Sequence, residues 1–131
     1  MSPGLNLLAQ LVITGVLLTA IMLAKRQEFR LHGLVIASAI VLNSFSILLV
    51  MVPSALRIFS GTSLNSFTLA VGIHAILGTI AQLAGLYIVW IWRLREPGDS
   101  CFRLRGRMRS LSGLWTLMVV LGALVYYMLY F

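Results

Sequence analysis

Hydrophobic positions fall in four long uncharged runs, at residues 5–24, 34–52, 67–92 and 114–131. A transmembrane helix needs about 20 mostly apolar residues to cross roughly 30 Å of hydrocarbon. Membrane strands are shorter, about 9–11 residues, and alternate in polarity. Backbone polar groups in lipid must also be paired within the segment, which favours helix. The pattern predicts an all-α integral membrane protein. It reads as a single domain over 1–131, an up-down bundle of four transmembrane helices at about 5–24, 34–52, 67–92 and 114–131.

The connections are short. Lys25 to Gly33 joins the first two helices. Pro53 closes the second, because proline disfavours helix at the residue before it. The stretch from Pro53 to Ser66 has room for a short interfacial helix around Ala55 to Phe59. Arg93 to Gly113 reads as a loop, with Glu96-Pro97-Gly98-Asp99 as a turn signal. No repeat or linker marks a second domain.

Composition agrees with this layout. Apolar residues make up 60% of the chain and charged ones 10%, against roughly 45–50% and about 25% in soluble domains. That excludes a soluble enzyme and a disordered tail. A single cysteine excludes a disulfide framework within the chain. The net charge of +7 acquires meaning from its placement. Lys25, Arg26 and Arg30 lie in the first connection. Arg93, Arg95, Arg103, Arg105, Arg107 and Arg109 lie in the third, and the middle one has only Arg57. The positive-inside rule puts the first and third connections in the cytoplasm and both termini on the non-cytoplasmic side. The alternating Arg103, Arg105, Arg107 and Arg109 then serve as a topology signal touching anionic lipid headgroups, with no nucleic-acid partner. The first run has no basic residues before it, and its 20 residues exceed the roughly 7–15 of a signal-peptide core. It reads as a permanent helix. With no eukaryotic targeting segment, the expected location is a prokaryotic plasma membrane, spanned several times.

No Asp, Glu, Lys or Arg lies inside the four runs, which weighs against an ion pump or carboxylate proton relay. The neutral polar residues are ordered instead. At about 100° per residue, His32, Ala39, Asn43, Ser46 and Val50 share one face of the second helix. His74, Gly78, Ala81, Gln82 and Gly85 share one face of the third; Trp115, Val119, Gly122 and Tyr126 share one of the fourth. Asn6, Gln10 and Thr14 form a drifting stripe on the first. Small residues let membrane helices approach closely, and amides and hydroxyls hydrogen-bond across the contact. These faces are expected to pack against one another.

The two histidines carry the candidate chemistry. Imidazole ligates metals and haem iron and carries protons near neutral pH. His74 reads as a cofactor or metal ligand, a contact for a quinone or partner protein, or a buried hydrogen-bonded histidine. His32, at the cytoplasmic end of the second helix, reads as an ordinary interfacial histidine or as a second, separate cofactor ligand. At 1.5 Å per residue the two differ in depth by more than roughly 20 Å, so they do not share one iron. Met22 and Met108 lie near the level of His32, Met51 and Met128 beyond His74. Tyr87, Trp90, Trp92 and Trp115, with Tyr126, Tyr127 and Tyr130 at the far end, read as interfacial belts. Cys101 reads as an ordinary loop thiol.

Several short motifs run together: the basic stretch Lys25-Arg26-Gln27-Glu28-Phe29-Arg30-Leu31-His32-Gly33, then Gly72-Ile73-His74-Ala75-Ile76-Leu77-Gly78, an arginine-rich segment, Leu114-Trp115, Gly122 and Tyr126. From Lys25 onward the chain resembles a family of small four-helix, histidine-containing membrane proteins of unknown function. That family is linked to maturation of haem–copper cytochrome oxidases. The resemblance implies a place beside a respiratory complex. The family tends to carry a further histidine in the basic segment between the last two helices, and here there is none, which favours a derived role.

Three functions follow as expectations. The first is a non-catalytic accessory or assembly subunit of a membrane respiratory or redox complex, packing laterally against larger subunits. The second is an electron-transfer protein binding haem b or a quinone at His74, with His32 as a further candidate. The third is a small transporter or channel subunit. No nucleophile–base pair, phosphate loop or carboxylate pair supports an enzyme.

Overall fold

A computed structural model describes residues 3–61, 63, 65–92 and 99–130, with side chains over 4–92 of these and from Arg103 to Tyr130. The described elements are all helical. They are α1 (Pro3–Lys25), α2 (Phe29–Ser46), a π-helical turn (Ile47–Met51), α3 (Val52–Gly61), α4 (Ser66–Trp92) and α5 (Asp99–Tyr130). Four helical stretches are long and apolar enough to span a membrane: Gly4–Lys25, Phe29–Gly61, Ser66–Trp92 and Arg103–Tyr130. Their polarity suits lipid. Large apolar side chains such as Leu8, Leu49, Leu83 and Val120 are exposed, while His32, Asn43, Ser46, Thr68 and Gln82 are buried.

α1 ends in a Schellman motif. Glu28 N–H bonds the Leu23 carbonyl at 3.0 Å and Gln27 N–H bonds that of Ala24 at 3.1 Å. Gln27 takes the left-handed conformation, φ 63°, that usually falls to glycine. The turn is tighter than the expected Lys25–Gly33 connection, because α2 starts at Phe29 and already contains Arg30 and His32. α4 opens with a reciprocal cap: Thr68 N–H donates to Asn65 Oδ1 at 2.9 Å and Asn65 N–H to Thr68 Oγ1 at 2.8 Å.

Two expectations are corrected. Pro53 does not end the second helix. Helix continues through the π turn into α3, so the short helix expected at Ala55–Phe59 is the end of a continuous rod. Proline lacks an N–H, and its ring clashes with the carbonyl four residues back. In the π turn immediately before it, Val52 N–H bonds the Ile47 carbonyl, five residues back. That wider register lets the ring enter without a break. Nor is Arg93–Gly113 a loop throughout, since α5 begins at Asp99. Arginine is a good helix former. Leu104 and Trp115 are buried and Met108 and Leu111 half-buried, a helical spacing that turns one side of the arginine segment to the bundle. Arg103, Arg105, Arg107 and Arg109 are exposed. The Glu96-Pro97-Gly98 turn, Arg93, Arg95 and the Cys101 side chain lie outside the described residues.

Contacts between neighbouring helices run in opposite chain directions. Asn6, Gln10 and Ala20 of α1 meet Ser46, Asn43 and His32 of α2. Gly33, Ile40 and Asn43 of α2 meet Trp92, Gly85 and Gln82 of α4. Ile13, Ala39, Ile40 and Trp115 form the apolar centre between α1, α2 and α5.

Candidate functional site

The polar faces expected from helical spacing do meet, and they build a hydrogen-bonded ladder. Ser46 Oγ donates to Asn6 Oδ1 at 2.7 Å. Gln10 Nε2 donates to Asn43 Oδ1 at 2.9 Å and to Ser46 Oγ at 3.2 Å. Asn43 Nδ2 donates to Gln82 Oε1 at 2.8 Å. Gln82 Nε2 then donates to Ser44 Oγ at 2.6 Å and to the Ile40 carbonyl at 3.1 Å. In hydrocarbon such groups have no water to turn to, so the ladder ties α1, α2 and α4 in one register.

Beside the ladder lies a cavity of about 260 Å³. Asn6, Gln10, Asn43 and Gln82 form its polar part, and Trp115, Val119 and Tyr126 of α5 line another side. Val52, Ser54 and Leu129, which are exposed, also line it. So the cavity reaches the surface near α3 and the end of α5. His74 is on its wall, half-buried, with Nδ1 buried and without a hydrogen-bond partner. Two glycines clear space around it. A Cβ on Gly122 would lie 3.1 Å from His74 Cε1, and one on Gly78 would meet nothing within 4 Å. Tyr126 stacks obliquely on Tyr130, ring centroids 4.7 Å apart.

Of the residues singled out from sequence, His74, Gly78, Asn43, Gln82, Trp115, Gly122 and Tyr126 line this one cavity. Ser46 supports it through the ladder. Gly85 does not reach it; a Cβ there would lie 3.0 Å from Ile40 Cδ1, so it serves the α2–α4 contact. His32 lines a separate cavity with Gly33, Trp92 and Met108. The belt assignment is corrected for Trp92 and Trp115, which are buried, while Tyr87, Trp90, Tyr127 and Tyr130 are exposed. Trp92 turns inward because Gly33 leaves a slot for its ring. The wall supplied by Ser54, Ala55 and Ile58 is not evident from the sequence, because Pro53 reads as a helix end. Their helical spacing was the available signal. Ser44, which faces Gln82 at one remove from Ser46, is not evident either.

Haem does not fit these residues. The cavity lies below the roughly 300–1,000 Å³ of pockets for drug-sized ligands, and a tetrapyrrole is larger still. No Lys or Arg lines it to meet propionates. Among the described residues no group of three or more His, Cys, Asp or Glu could hold a metal ion. No known family, curated protein or solved structure matches the chain.

Proposed function

We propose that the chain is a non-catalytic membrane protein that holds a lipid-soluble quinone-type ring between its helices, anchored by His74. The carrying observation is a half-buried imidazole on the wall of a cavity of about 260 Å³, whose Nδ1 is closed off and without a partner, which leaves Nε2 as the atom to meet a guest. Ligand sites in proteins combine apolar walls with a few convergent polar groups. A quinone supplies what His74 lacks, a carbonyl acceptor on a flat apolar ring. Its tail would leave through the rim at Ser54 and Leu129 into lipid. Held this way, the ring would be presented to a redox partner.

The rest of the reading concerns placement. The opposite running of helix contacts supports an up-down bundle. The exposed Lys25, Arg26, Arg30, Arg103, Arg105, Arg107 and Arg109 support a cytoplasmic face at that end, in contact with anionic lipids, with both termini on the other side of a prokaryotic plasma membrane. The test is a titration in lipid nanodiscs with a short-tailed benzoquinone, read by quenching of tryptophan fluorescence, since Trp115 lines the cavity. His74→Ala is expected to weaken saturable quenching about tenfold, the worth of one neutral hydrogen bond. Quenching that never saturates, or equal affinity in the variant, refutes the reading.

A second reading is an accessory or assembly subunit of a respiratory complex, the role implied by the family resemblance. It is favoured by small residues on the outer faces. Gly106, Ser110 and Gly113 of α5 and Gly15 and Thr19 of α1 are exposed, and a Cβ on any of these glycines would meet nothing within 4 Å. Such positions suit close approach of a partner helix. Co-purification with larger subunits in mild detergent, lost in Gly113→Leu, would support it; solitary purification from native membranes would not.

A further inference from the structure

The hydrogen-bond ladder has a direction. A backbone carbonyl can only accept. The Ile40 carbonyl takes the Ser44 hydroxyl proton at 2.9 Å and a Gln82 Nε2 proton at 3.1 Å. Ser44 Oγ, its own proton spent, accepts the second Gln82 proton. That fixes the Gln82 amide with Oε1 toward Asn43, so Asn43 offers Nδ2 to it and turns Oδ1 to Gln10. Gln10 answers with Nε2, which also reaches Ser46 Oγ, and Ser46 donates its proton to Asn6 Oδ1. One carbonyl on α2 thus orients the amides of Gln82, Asn43, Gln10 and Asn6, on three helices.

The order decides what is left over. Among the described residues Asn6 enters the ladder only through Oδ1. Both Nδ2 protons remain, and Asn6 lines the larger cavity. His74 adds a donor. Its Nδ1 is buried without a partner, and a buried unpaired N–H is rarer than an unpaired acceptor, so the ring proton sits on Nε2. The spare acceptor of the ladder is Gln10 Oε1, at the level of Gln82. By residue rise, Asn6 lies roughly 6 Å from that level toward the end where His74 lies, and His74 roughly 12 Å. The fixed groups nearest His74 in depth therefore donate. The Ser54 and Tyr126 hydroxyls on the same walls give or take a proton and do not discriminate.

We propose that this site selects the oxidised, dicarbonyl form of the ring over its hydroquinone, with Asn6 as the residue that sets the preference. The inference rests on the quinone reading above. A para-quinone has an acceptor at each end and no donor. His74 Nε2–H suits one carbonyl and Asn6 Nδ2 the other, from α4 and α1 on the cavity wall. The hydroquinone carries two O–H protons, and each would face a nitrogen that already holds its own. Buried donors turned on one another stay unpaired, which is the costly case. Asn6 does not flip its amide to help, because Ser46 needs Oδ1, and behind Ser46 the order runs back to the Ile40 carbonyl.

The experiment is calorimetric titration of the full chain in nanodiscs with a short-tailed benzoquinone and, without oxygen, with the hydroquinone of the same ring. The quinone is expected to bind about tenfold more tightly. Asn6→Leu should weaken the quinone about tenfold and leave the hydroquinone within about twofold, which brings the two together. Ser46 then returns its proton to the carbonyl one turn back. Saturable quinone binding with a hydroquinone equally tight or tighter overturns the selectivity and leaves the quinone reading standing. A ratio unchanged in Asn6→Leu overturns the role of Asn6. If neither form saturates, the quinone reading falls and the inference with it. The ratio on the unsubstituted chain decides even where the variant fails to fold.

Discussion

The two ends of the bundle each hold one histidine and treat it differently. At the His32 end the ring is buried, bonded to an α1 carbonyl, and packed beside a tryptophan in a cavity of about 10 Å³. At the His74 end the ring is half-buried, makes no hydrogen bond at Nδ1, and borders about 260 Å³. Glycine does opposite work at the two places. Gly33 is filled by the Trp92 ring, whereas Gly78 faces open space. The same residue type therefore locks one end and keeps the other open. The proposed binding role fits the open end, where adding a guest displaces no packing.

The strongest way to break this comparison is Gly33→Ala. Its Cβ would meet the Trp92 ring at 2.2 Å, and overpacking of this severity costs about 3 kcal/mol or more. Unfolding in detergent measures it; a loss below about 1 kcal/mol would mean that the closed end is not tightly packed. Next comes the ladder between the ends. Gln82→Leu strips partners from Asn43 Nδ2 and Ser44 Oγ and should cost about 1–2 kcal/mol.

The histidines themselves sharpen the contrast. His32→Ala should lower stability by about 2 kcal/mol through the lost bond and packing. His74→Ala should change stability by less than about 1 kcal/mol yet weaken the quinone analogue about tenfold. Reversed results would exchange the roles of the two ends. Gly122→Ala brings a Cβ to 3.1 Å from His74 Cε1. Displacing the ring by that much should weaken binding roughly threefold, under 1 kcal/mol. The smallest effect is expected at Gln27, where φ is 63°. Glycine there relieves a left-handed residue and should raise the unfolding free energy by up to about 1 kcal/mol.

Much of the bundle was legible because lipid imposes a simple rule. With no water in the hydrocarbon, a span must be long, apolar and helical, and its amides and imidazoles turn inward, while Thr19, Ser38 and Thr79 stay exposed by bonding the carbonyl four residues back. His32, Ala39, Asn43, Ser46 and Val50, grouped by spacing alone, are all buried. The limits lay where one segment's behaviour depends on another. Pro53 carries a breaker signal, but helix continues past it because the π turn shifts register one turn earlier. Trp92 and Trp115 have belt residues' composition and position along the chain, yet both are buried, one of them drawn in by a glycine on another helix. The arginine segment looked like a loop because charge marks a membrane boundary, and charge does not prevent a helix from continuing into the headgroups.

The sequence by itself determined that there are four long apolar helical stretches, most of their inward-facing residues and the lopsided charge, since each follows from local periodicity and from the free energy of placing polar groups in lipid. Tertiary structure decided which amide meets which, that Asn43 pairs with Gln82 and Gln10, and that one histidine is closed while the other is open. Those outcomes depend on the volumes that separate helices leave between them. Gly33 has its meaning only against Trp92, and Gly122 only against His74.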